Sequence, residues 1–593
     1  MKELEYPFDS RYIIKKKRSI RRELLENASS MIEKKIAVLG GSTTHDICAI
    51  MDLFLLNQGI KATFYESEYN QYWEDVMFDN EELKAFAPDV IYIYTGVRNI
   101  KQFPSLSQEK EEIEQMLQNE YMHYQVMWEK IEQTYHCVVI QNNFEYPSDR
   151  LFGNQDSVNI HGKVNYVNRL NQMFADYAAQ NKDFFIHDSN YLSATYGLDR
   201  WADPIYWHMY KYALSLEAIP TLAFSVSNII KSVYGKNKKA LVLDLDNTLW
   251  GGIVGDDGVE QLEIGQETSM GQVYSEFQEY VKKQKEIGVL LNVCSKNDHE
   301  NAIAGLNHPD SHLHPEDFIV IKANWEPKSK NIVEIADQLN LLPESFVFVD
   351  DNPAEREIVA AQVPGVKTPD IGSVEQYIRV LDHSGFFEVT NLSTDDAKRN
   401  QMYKENAQRI QLQQSFTDYS DYLKSLEMKA VIEPFTPMYM ERIAQLTNKS
   451  NQFNLTTKRY SGAEIEETAA SSDYIDLYGK LEDKFGDNGV VSVVIGRKEE
   501  TTLHIDLWIM SCRVLKRDME YAMMDALVDQ CIKNGIRQIR GYYYPTAKNG
   551  MVRNFYELQG FSKESEDEEG NSEWLFTLDA DYVKKNKVIF LKN

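Results

Sequence analysis

Ala240-Leu241-Val242-Leu243-Asp244-Leu245-Asp246-Asn247-Thr248 is a short apolar run that breaks directly into two aspartates. An apolar tetrad bounded by polar residues reads as a buried strand of a parallel sheet. Where such a strand ends, residues two apart can face one ligand as the backbone leaves the sheet. One carboxylate can then attack phosphorus while the other protonates the leaving oxygen and afterwards activates water.

Three more polar clusters follow apolar runs, in order, on the C-terminal side. Cys294-Ser295-Lys296-Asn297 ends the run 289–293, Trp325-Glu326-Pro327-Lys328 follows 318–321, and Asp350-Asp351 ends 345–349. Helices are expected between them, over 271–287, 298–305 and 329–340. This alternation marks βα units around a parallel sheet, whose ligands bind at the carboxyl ends of the strands. A hydroxyl at Ser295 can hold phosphoryl oxygens, a lysine can neutralise them, and the acids suit a hard cation that takes oxygen ligands. Lys328 and Lys330 are both candidates for that lysine.

The four motifs resemble those of the haloacid-dehalogenase (HAD) superfamily. The resemblance implies Asp244 as nucleophile and Asp246 as general acid/base. It also implies Thr248, Ser295, Lys296, Asn297 and Lys328 around the phosphoryl group, and Mg2+ on Asp244, Asp246, Asp350 and Asp351. Only 46 residues lie between Thr248 and Ser295, and 32 between Ser295 and Lys328. A HAD-like Rossmannoid domain with a minimal cap and an open site is therefore expected over 236–385.

At 593 residues the chain exceeds what one core can fill, and the fold class expected is multidomain α/β. Residues 1–34 read as an amphipathic helical segment, 35–230 as a parallel α/β domain, 386–429 as a polar helical connector and 430–593 as an α+β domain. In the last of these a helix is expected over 517–534 and another over 550–559.

With Leu249-Trp250-Gly251-Gly252, the segment from Asn448 to Tyr460, rich in amides and hydroxyls, resembles the FkbH-like family from about 236 to the end. The motifs LDNTLWGG, CSKN, WEPKS, FVDDNPAERE and NQFNLTTKRY all stand in the chain. The resemblance implies removal of phosphate from 1,3-bisphosphoglycerate and transfer of the glyceryl group to the phosphopantetheine thiol of an acyl carrier protein, as in polyketide biosynthesis. Asn451 and Asn454 are candidate substrate contacts in that segment. The C-terminal domain resembles the GNAT acyltransferase fold, with Ser511-Cys512-Arg513-Val514 running from a strand into a helix. Cys512 and Cys294 are candidate acyl carriers, and Arg513 a candidate substrate contact. Asp518 stands where a pyrophosphate would sit, which argues against ordinary coenzyme A binding. Residues 35–230 resemble an SGNH hydrolase, with Ser42, Asp203 and His208 in triad order. Their Asp-x4-His spacing moves the histidine off the expected face, so a scaffold or docking surface is expected rather than a working triad. His45 and His187 are expected to be structural.

The net charge of −28 argues against a broad nucleic-acid surface. The five cysteines include no CxxC pair, and no apolar run reaches membrane-spanning length. A cytoplasmic protein without nucleic-acid or membrane partners is expected. Docking an acidic carrier would use a local basic patch, for which Lys458, Arg459, Arg513, Lys516 and Arg517 are candidates. A plain phosphatase acting on a small phosphate ester and a non-catalytic scaffold are the competing readings.

Overall fold

A computed structural model describes the chain except for residues 27–30, 451, 547, 579–581 and 593. It divides into two compact units, 1–231 with 461–464, and 232–460 with 465–593.

The first unit is built on five parallel strands, β1 (Ile32–Gly40), β2 (Ile60–Glu66), β3 (Val90–Tyr94), β4 (Val138–Asn142) and β5 (Phe184–His187). Their order is β2-β1-β3-β4-β5, the doubly wound arrangement with helices on both faces. β3 and β4 are buried along their whole length, which is why they read as unbroken apolar runs.

The second unit holds two sheets. Parallel strands β6 (Ala240–Leu243), β7 (Leu290–Ser295), β8 (Val320–Ala323) and β9 (Phe346–Val349) lie in the order β8-β7-β6-β9. Leu241 and Leu243 join one core cluster, and Ala240 and Val242 the other. The chain reverses direction across the sheet between β6 and β9. There Asp244 N donates to Val349 O at 2.9 Å, and the register pairs Leu243 with Val349. This is the switch point where ligands bind. The helices fall at Ser269–Gln284, His299–Leu306 and Lys328–Leu339, close to expectation. β8 starts two residues later than expected, because a turn over Pro315–Asp317 precedes it and Phe318 is spent on the core.

The C-terminal sheet contains β10 (Lys429–Glu433), β11 (Phe453–Asn454), β12 (Tyr474–Asp483), β13 (Gly486–Glu499), β14 (Thr502–Met510), β15 (Gln538–Tyr543), β16 (Ser562–Glu566), β17 (Ser572–Thr577) and β18 (Phe590–Leu591). It is mixed: β12, β13 and β14 form an antiparallel meander, whereas β14 and β15 are parallel and joined through the Met519–Lys533 helix. That is the α+β arrangement expected. The helix begins two residues late because Lys516 and Asp518 both take left-handed backbone angles, φ 63° and 61°, which no helix start can hold. The helix expected over 550–559 is instead a turn at Gly550–Val552 and a single helical turn at Phe555–Leu558.

The helix of the connector, Arg399–Gln413, packs between the two sheets. Asn400 Nδ2 donates to the carbonyls of Lys285 and Val289, both at 3.1 Å. Arg409, 1% exposed, makes a bidentate pair with Asp483 at 2.7 and 2.8 Å. Among the described residues, no helix is long and apolar enough to cross a membrane.

Candidate active site

Asp244, Asp350 and Asp351 follow β6 and β9 and place their carboxylate oxygens within 4.8 Å of one another. Lys328, first residue of its helix, reaches between them, with Nζ 2.9 Å from Asp244 Oδ2 and 2.6 Å from Asp350 Oδ2. Lys330 turns outward onto Glu326 at 3.1 Å, so Lys328 is the lysine at the site. Burial works against the charge of Lys328, but the two carboxylates outweigh it and hold its pKa above the usual lysine range. Asp350 goes the other way. Burial first, and then repulsion from Asp244, push its carboxyl up to about 6 despite the lysine. Burial also raises Asp351, again with help from Asp244.

Three carboxylates against one lysine leave two negative charges in a buried site, which a divalent cation would balance. Asp244 Oδ1 is buried without a hydrogen-bond partner, an acceptor that a cation would satisfy. The donor set is all oxygen and fits magnesium. A pH dependence follows with a definite sign. Asp350 binds its proton more tightly folded than unfolded, so stability without metal falls as pH rises from about 4 to about 6. The unfolding temperature of protein in EDTA is expected to drop across that range. Magnesium should reverse the drop above pH 6, and a flat or rising EDTA profile would contradict the assignment.

Asp246 is close by but its carboxylate lies outside that cluster, which corrects the expectation of a side-chain metal ligand. Its oxygens accept from Trp250 Nε1 at 2.9 Å, Val254 N at 3.1 Å and Asn297 Nδ2 at 2.9 Å. A left-handed Asn247, φ 55°, makes the sharp turn after it. Trp250 is fully buried against Gly305, where a Cβ would stand 2.8 Å from the ring, so this glycine fixes the tryptophan that orients Asp246. Burial raises the Asp246 pKa, partly offset by these donors, which suits an acid that gives up a proton.

Thr248 Oγ1 accepts from the backbone N–H of Asp351 at 3.2 Å, a link that the sequence did not reveal. Ser295, 2% exposed, ends β7. Lys296 is drawn away onto Glu355 at 2.5 Å, so it does not join the phosphoryl pocket as expected. Arg356, unnoticed in the sequence, donates to the carbonyls of Asp350 and Asp351 at 2.7 and 3.0 Å and holds the metal loop in shape. The segments between β6 and β8 add no separate cap domain, as the intervals implied.

The cysteines divide. Cys294 is fully buried, its thiol donates to Lys328 O at 3.7 Å, and burial pushes its pKa up to about 12. A thiol held protonated in the core is no acyl carrier, which corrects that expectation. Cys512 is partly exposed but far from Asp244. Its carbonyl accepts from Asn340 Nδ2 at 2.7 Å, beyond the far end of the helix that starts at Lys328. Twelve residues of helix span about 18 Å. Arg513 lies beside Cys512, so neither belongs with the carboxylates.

The amide-rich segment is structural where it is described. Asn454 Oδ1 accepts from Thr457 N at 2.9 Å, and its carbonyl accepts from Asn549 Nδ2 at 2.9 Å, correcting its place among substrate contacts. Arg459 caps the Met440–Lys449 helix by donating to the carbonyls of Thr447, Asn448 and Ser450. Asn451 lies outside the described residues. The basic patch does not form either. Arg459 is spent on the helix cap, Arg513 is 8% exposed and Arg517 5% exposed. Arg517 pairs with Asp483 at 3.3 Å, and Lys458 with Asp506 at 3.0 Å.

At the turn where a GNAT fold would take pyrophosphate, Asp518 is joined by Glu520, whose carboxyl burial raises to about 7. A carboxylate at Asp518 would repel a diphosphate. Isothermal titration is expected to detect no saturable coenzyme A binding at millimolar concentration, and micromolar affinity would refute this reading of the turn.

In the first unit Ser42 Oγ is buried without a hydrogen-bond partner. Asp203 caps Ile205 N at 2.8 Å and His208 is exposed, so no triad is assembled. Asn99 Nδ2 donates instead to Gly41 O at 2.9 Å. His187 is buried, with Nδ1 3.0 Å from Ser189 Oγ.

A family model described as FkbH, N-terminal domain, matches residues 35–231. The solved N-terminal part of a Bacteroides fragilis protein, containing a phosphatase domain and complexed with Mg, is 30% identical. The match covers 63% of this chain and 99% of that one, with a TM-score of 0.59. The chain belongs to the FkbH family. Its central domain is accordingly a HAD-like phosphatase domain. The C-terminal part of this FkbH-family protein is similar to Ard1 from Thermoplasma volcanium (19% identity, 25% of this chain, 97% of that one, TM-score 0.20). It is also similar to a GNAT-family acetyltransferase from Streptococcus pneumoniae (12% identity, 26% and 100%, TM-score 0.22). None of the curated proteins matches the chain.

Proposed function

We propose that this FkbH-family protein is a magnesium-dependent phosphatase that also transfers the acyl group of its substrate. In this reading the ester phosphate of a phosphorylated three-carbon acid, 1,3-bisphosphoglycerate, is hydrolysed at Asp244, while the glyceryl group passes to the phosphopantetheine thiol of an acyl carrier protein, whose sulfur attacks the carbonyl carbon and displaces the acyl phosphate as inorganic phosphate. The observation that carries the phosphatase half is the cluster of Asp244, Asp350 and the partly exposed Asp351 at the strand switch point, with Lys328 buried between the first two.

Asp244 attacks phosphorus and the bond to the leaving oxygen breaks, with Asp246 donating the proton that oxygen needs. Asp246 then takes a proton from the water that hydrolyses the aspartyl phosphate. Ser295 and Asn297, beside the strand tip, would bind phosphoryl oxygens, and Lys328 holds Asp244 in place. Asp244, Asp350 and Asp351 would hold magnesium, which supplies positive charge to the phosphoryl oxygens.

The glyceryl half is supported by membership of the family and by a partly accessible thiol, Cys512, outside the phosphatase site. A scaffold without catalysis has no use for a buried lysine between three acids. The test is intact-mass spectrometry with magnesium and enzymatically generated 1,3-bisphosphoglycerate, with and without a phosphopantetheinylated carrier. A glyceryl adduct on the carrier supports transfer. Phosphate release with no adduct on protein or carrier would leave a plain phosphatase.

A further inference from the structure

Asp246 gives its proton to the leaving oxygen, so the alcohol part of the substrate must lie on the Asp246 side of the phosphoryl group. Three loops meet on that side. The turn after β6 brings Val254 N to Asp246 at 3.1 Å, and the loop after β7 brings Asn297 Nδ2 to it at 2.9 Å. These two loops also pack together, since a Cβ at Gly255 would stand 3.8 Å from Asn297 Oδ1. The third loop follows β8. Its Asn324 N donates to Ser295 O at 3.2 Å, and Trp325 Nε1 donates to Asp298 Oδ1 at 2.8 Å. Asp298 is the residue next to Asn297.

The side chains these loops turn outward are apolar. Trp325 is 71% exposed, and Ile253, beside Val254, is 43% exposed. A single exposed apolar residue is ordinary, but these two flank the donors that hold the general acid. The bond to Asp298 fixes an indole that has little other cover, and a fixed aromatic face is a contact surface for a ligand.

The charge on the same side is negative. Asp257 Oδ2 accepts from Ile253 N at 2.8 Å, as Asp298 accepts from Trp325, and among the described residues neither acid has an ion pair. Residues 245–268 contain no lysine or arginine. Lys296 turns to Glu355 at 2.5 Å and Lys330 to Glu326 at 3.1 Å. Lys328 lies between Asp244 and Asp350, and Arg356 holds two carbonyls and Asp370. A leaving group with a free carboxylate would therefore meet two acids, and each lysine or arginine of these loops is already engaged. An acyl phosphate at that end carries still more negative charge. A thioester of the same acid is neutral there and suits an apolar rim.

We infer that the phosphatase site acts second, on a phosphorylated acid already joined by a thioester to a pantetheine arm that lies along Trp325 and Ile253. The inference rests on the reading of the chain as acting on a phosphorylated three-carbon acid, and it orders the two steps of that reading. The thiol first attacks the carbonyl carbon and displaces the acyl phosphate as inorganic phosphate. The neutral thioester then enters the site. Asp244 takes the remaining phosphoryl group, Asp246 protonates the oxygen that leaves, and water hydrolyses the aspartyl phosphate. Trp325 touches the arm and not the reacting atoms, so it sets specificity. The short intervals between the motifs leave the open approach that an arm attached to a protein needs.

The experiment follows phosphate release by the full-length protein at saturating magnesium from 3-phosphoglycerate, its methyl ester and its pantetheine thioester. The methyl ester should exceed the free acid in kcat/KM by about tenfold, because its charge at that end is gone. The thioester should exceed the methyl ester by about tenfold more, through contact of the arm with the indole. Trp325→Ala should erase the advantage of the thioester over the methyl ester, and Trp325→Phe should retain part of it. Asp298→Asn keeps an acceptor for the indole but loses the charge, so it should raise the free acid relative to the methyl ester. Circular dichroism checks that each variant folds. A free acid cleaved as well as its methyl ester, or a thioester advantage indifferent to Trp325→Ala, would overturn the order of steps and leave the phosphatase reading standing. Release from none of the three, with p-nitrophenyl phosphate still cleaved and that cleavage lost in Asp244→Asn, would overturn the three-carbon reading and the order with it.

Discussion

Asp244→Asn is expected to lower phosphate release by roughly ten-thousandfold or more, the scale on which loss of a nucleophile is felt. The amide keeps the shape of the carboxylate and can still meet Lys328, whose Nζ stands 2.9 Å from Asp244 Oδ2. It cannot attack phosphorus, and it offers a metal a weaker oxygen. The fold should survive, because Lys328 keeps its 2.6 Å contact with Asp350 and one source of repulsion among the acids is gone. The Asp350 carboxyl, held near 6 by burial and by Asp244, should relax downward in the variant. Phosphate release measured at saturating magnesium, beside an unfolding curve, decides the matter. A variant that keeps release within tenfold of the parent would move the nucleophile to another residue.

Lys328→Met should be the most destabilising change at the site. It removes the cation that pairs with both buried acids and leaves Asp244 and Asp350 facing each other. Breaking a buried pair in this way costs about 3–5 kcal/mol. Protonation of Asp350, already easy, takes back part of that cost below pH 6. Magnesium should restore more of the lost stability in the variant than it adds to the parent, because the cation then does the lysine's work as well as its own. Phosphate release should fall by about a hundredfold or more even with metal present, as expected when a preorganised charge is lost. Urea unfolding with and without magnesium tests this. A loss below ~1 kcal/mol without metal would mean that water screens the cluster, contrary to the 3% exposure of Lys328.

Asp244 was legible from the chain alone, and Lys328 as one of two candidate lysines, because their neighbourhood is local. Asp244 follows four apolar residues that read as a buried strand, and Lys328 follows a proline, which stands as the N-cap of its helix. Strand ends and helix starts are set by short-range rules, and in a doubly wound sheet those ends fall together. The same locality identified Asp350 and Asp351.

Other assignments needed the folded molecule. Cys294 adjoins Ser295 in sequence, but strand residues alternate faces. The serine ends at the site and the thiol turns into the core under Lys328. Asp246 looked like a second metal ligand, yet Trp250, Val254 and Asn297 claim its oxygens, and nothing in sequence order brings Asn297 to it. The amides from Asn448 to Tyr460 read equally well as ligand contacts or as caps. The carbonyls that Arg459 and Asn549 satisfy are what decide for capping.

The sequence by itself determined the strand-and-helix alternation, the ends at which acids, hydroxyl and lysine are displayed, and the lack of space for a large cap. Each follows from the period of apolar residues and from turn chemistry, which act over a few residues. Only the tertiary structure decided which lysine enters the site, which cysteine stays accessible, and that Cys512 and Arg513 lie at the opposite end of the sheet from Asp244. The last of these depends on contacts between residues more than a hundred positions apart, such as Asn340 with Cys512 and Arg399 with Gly288. Packing sets such contacts, and no local pattern encodes them.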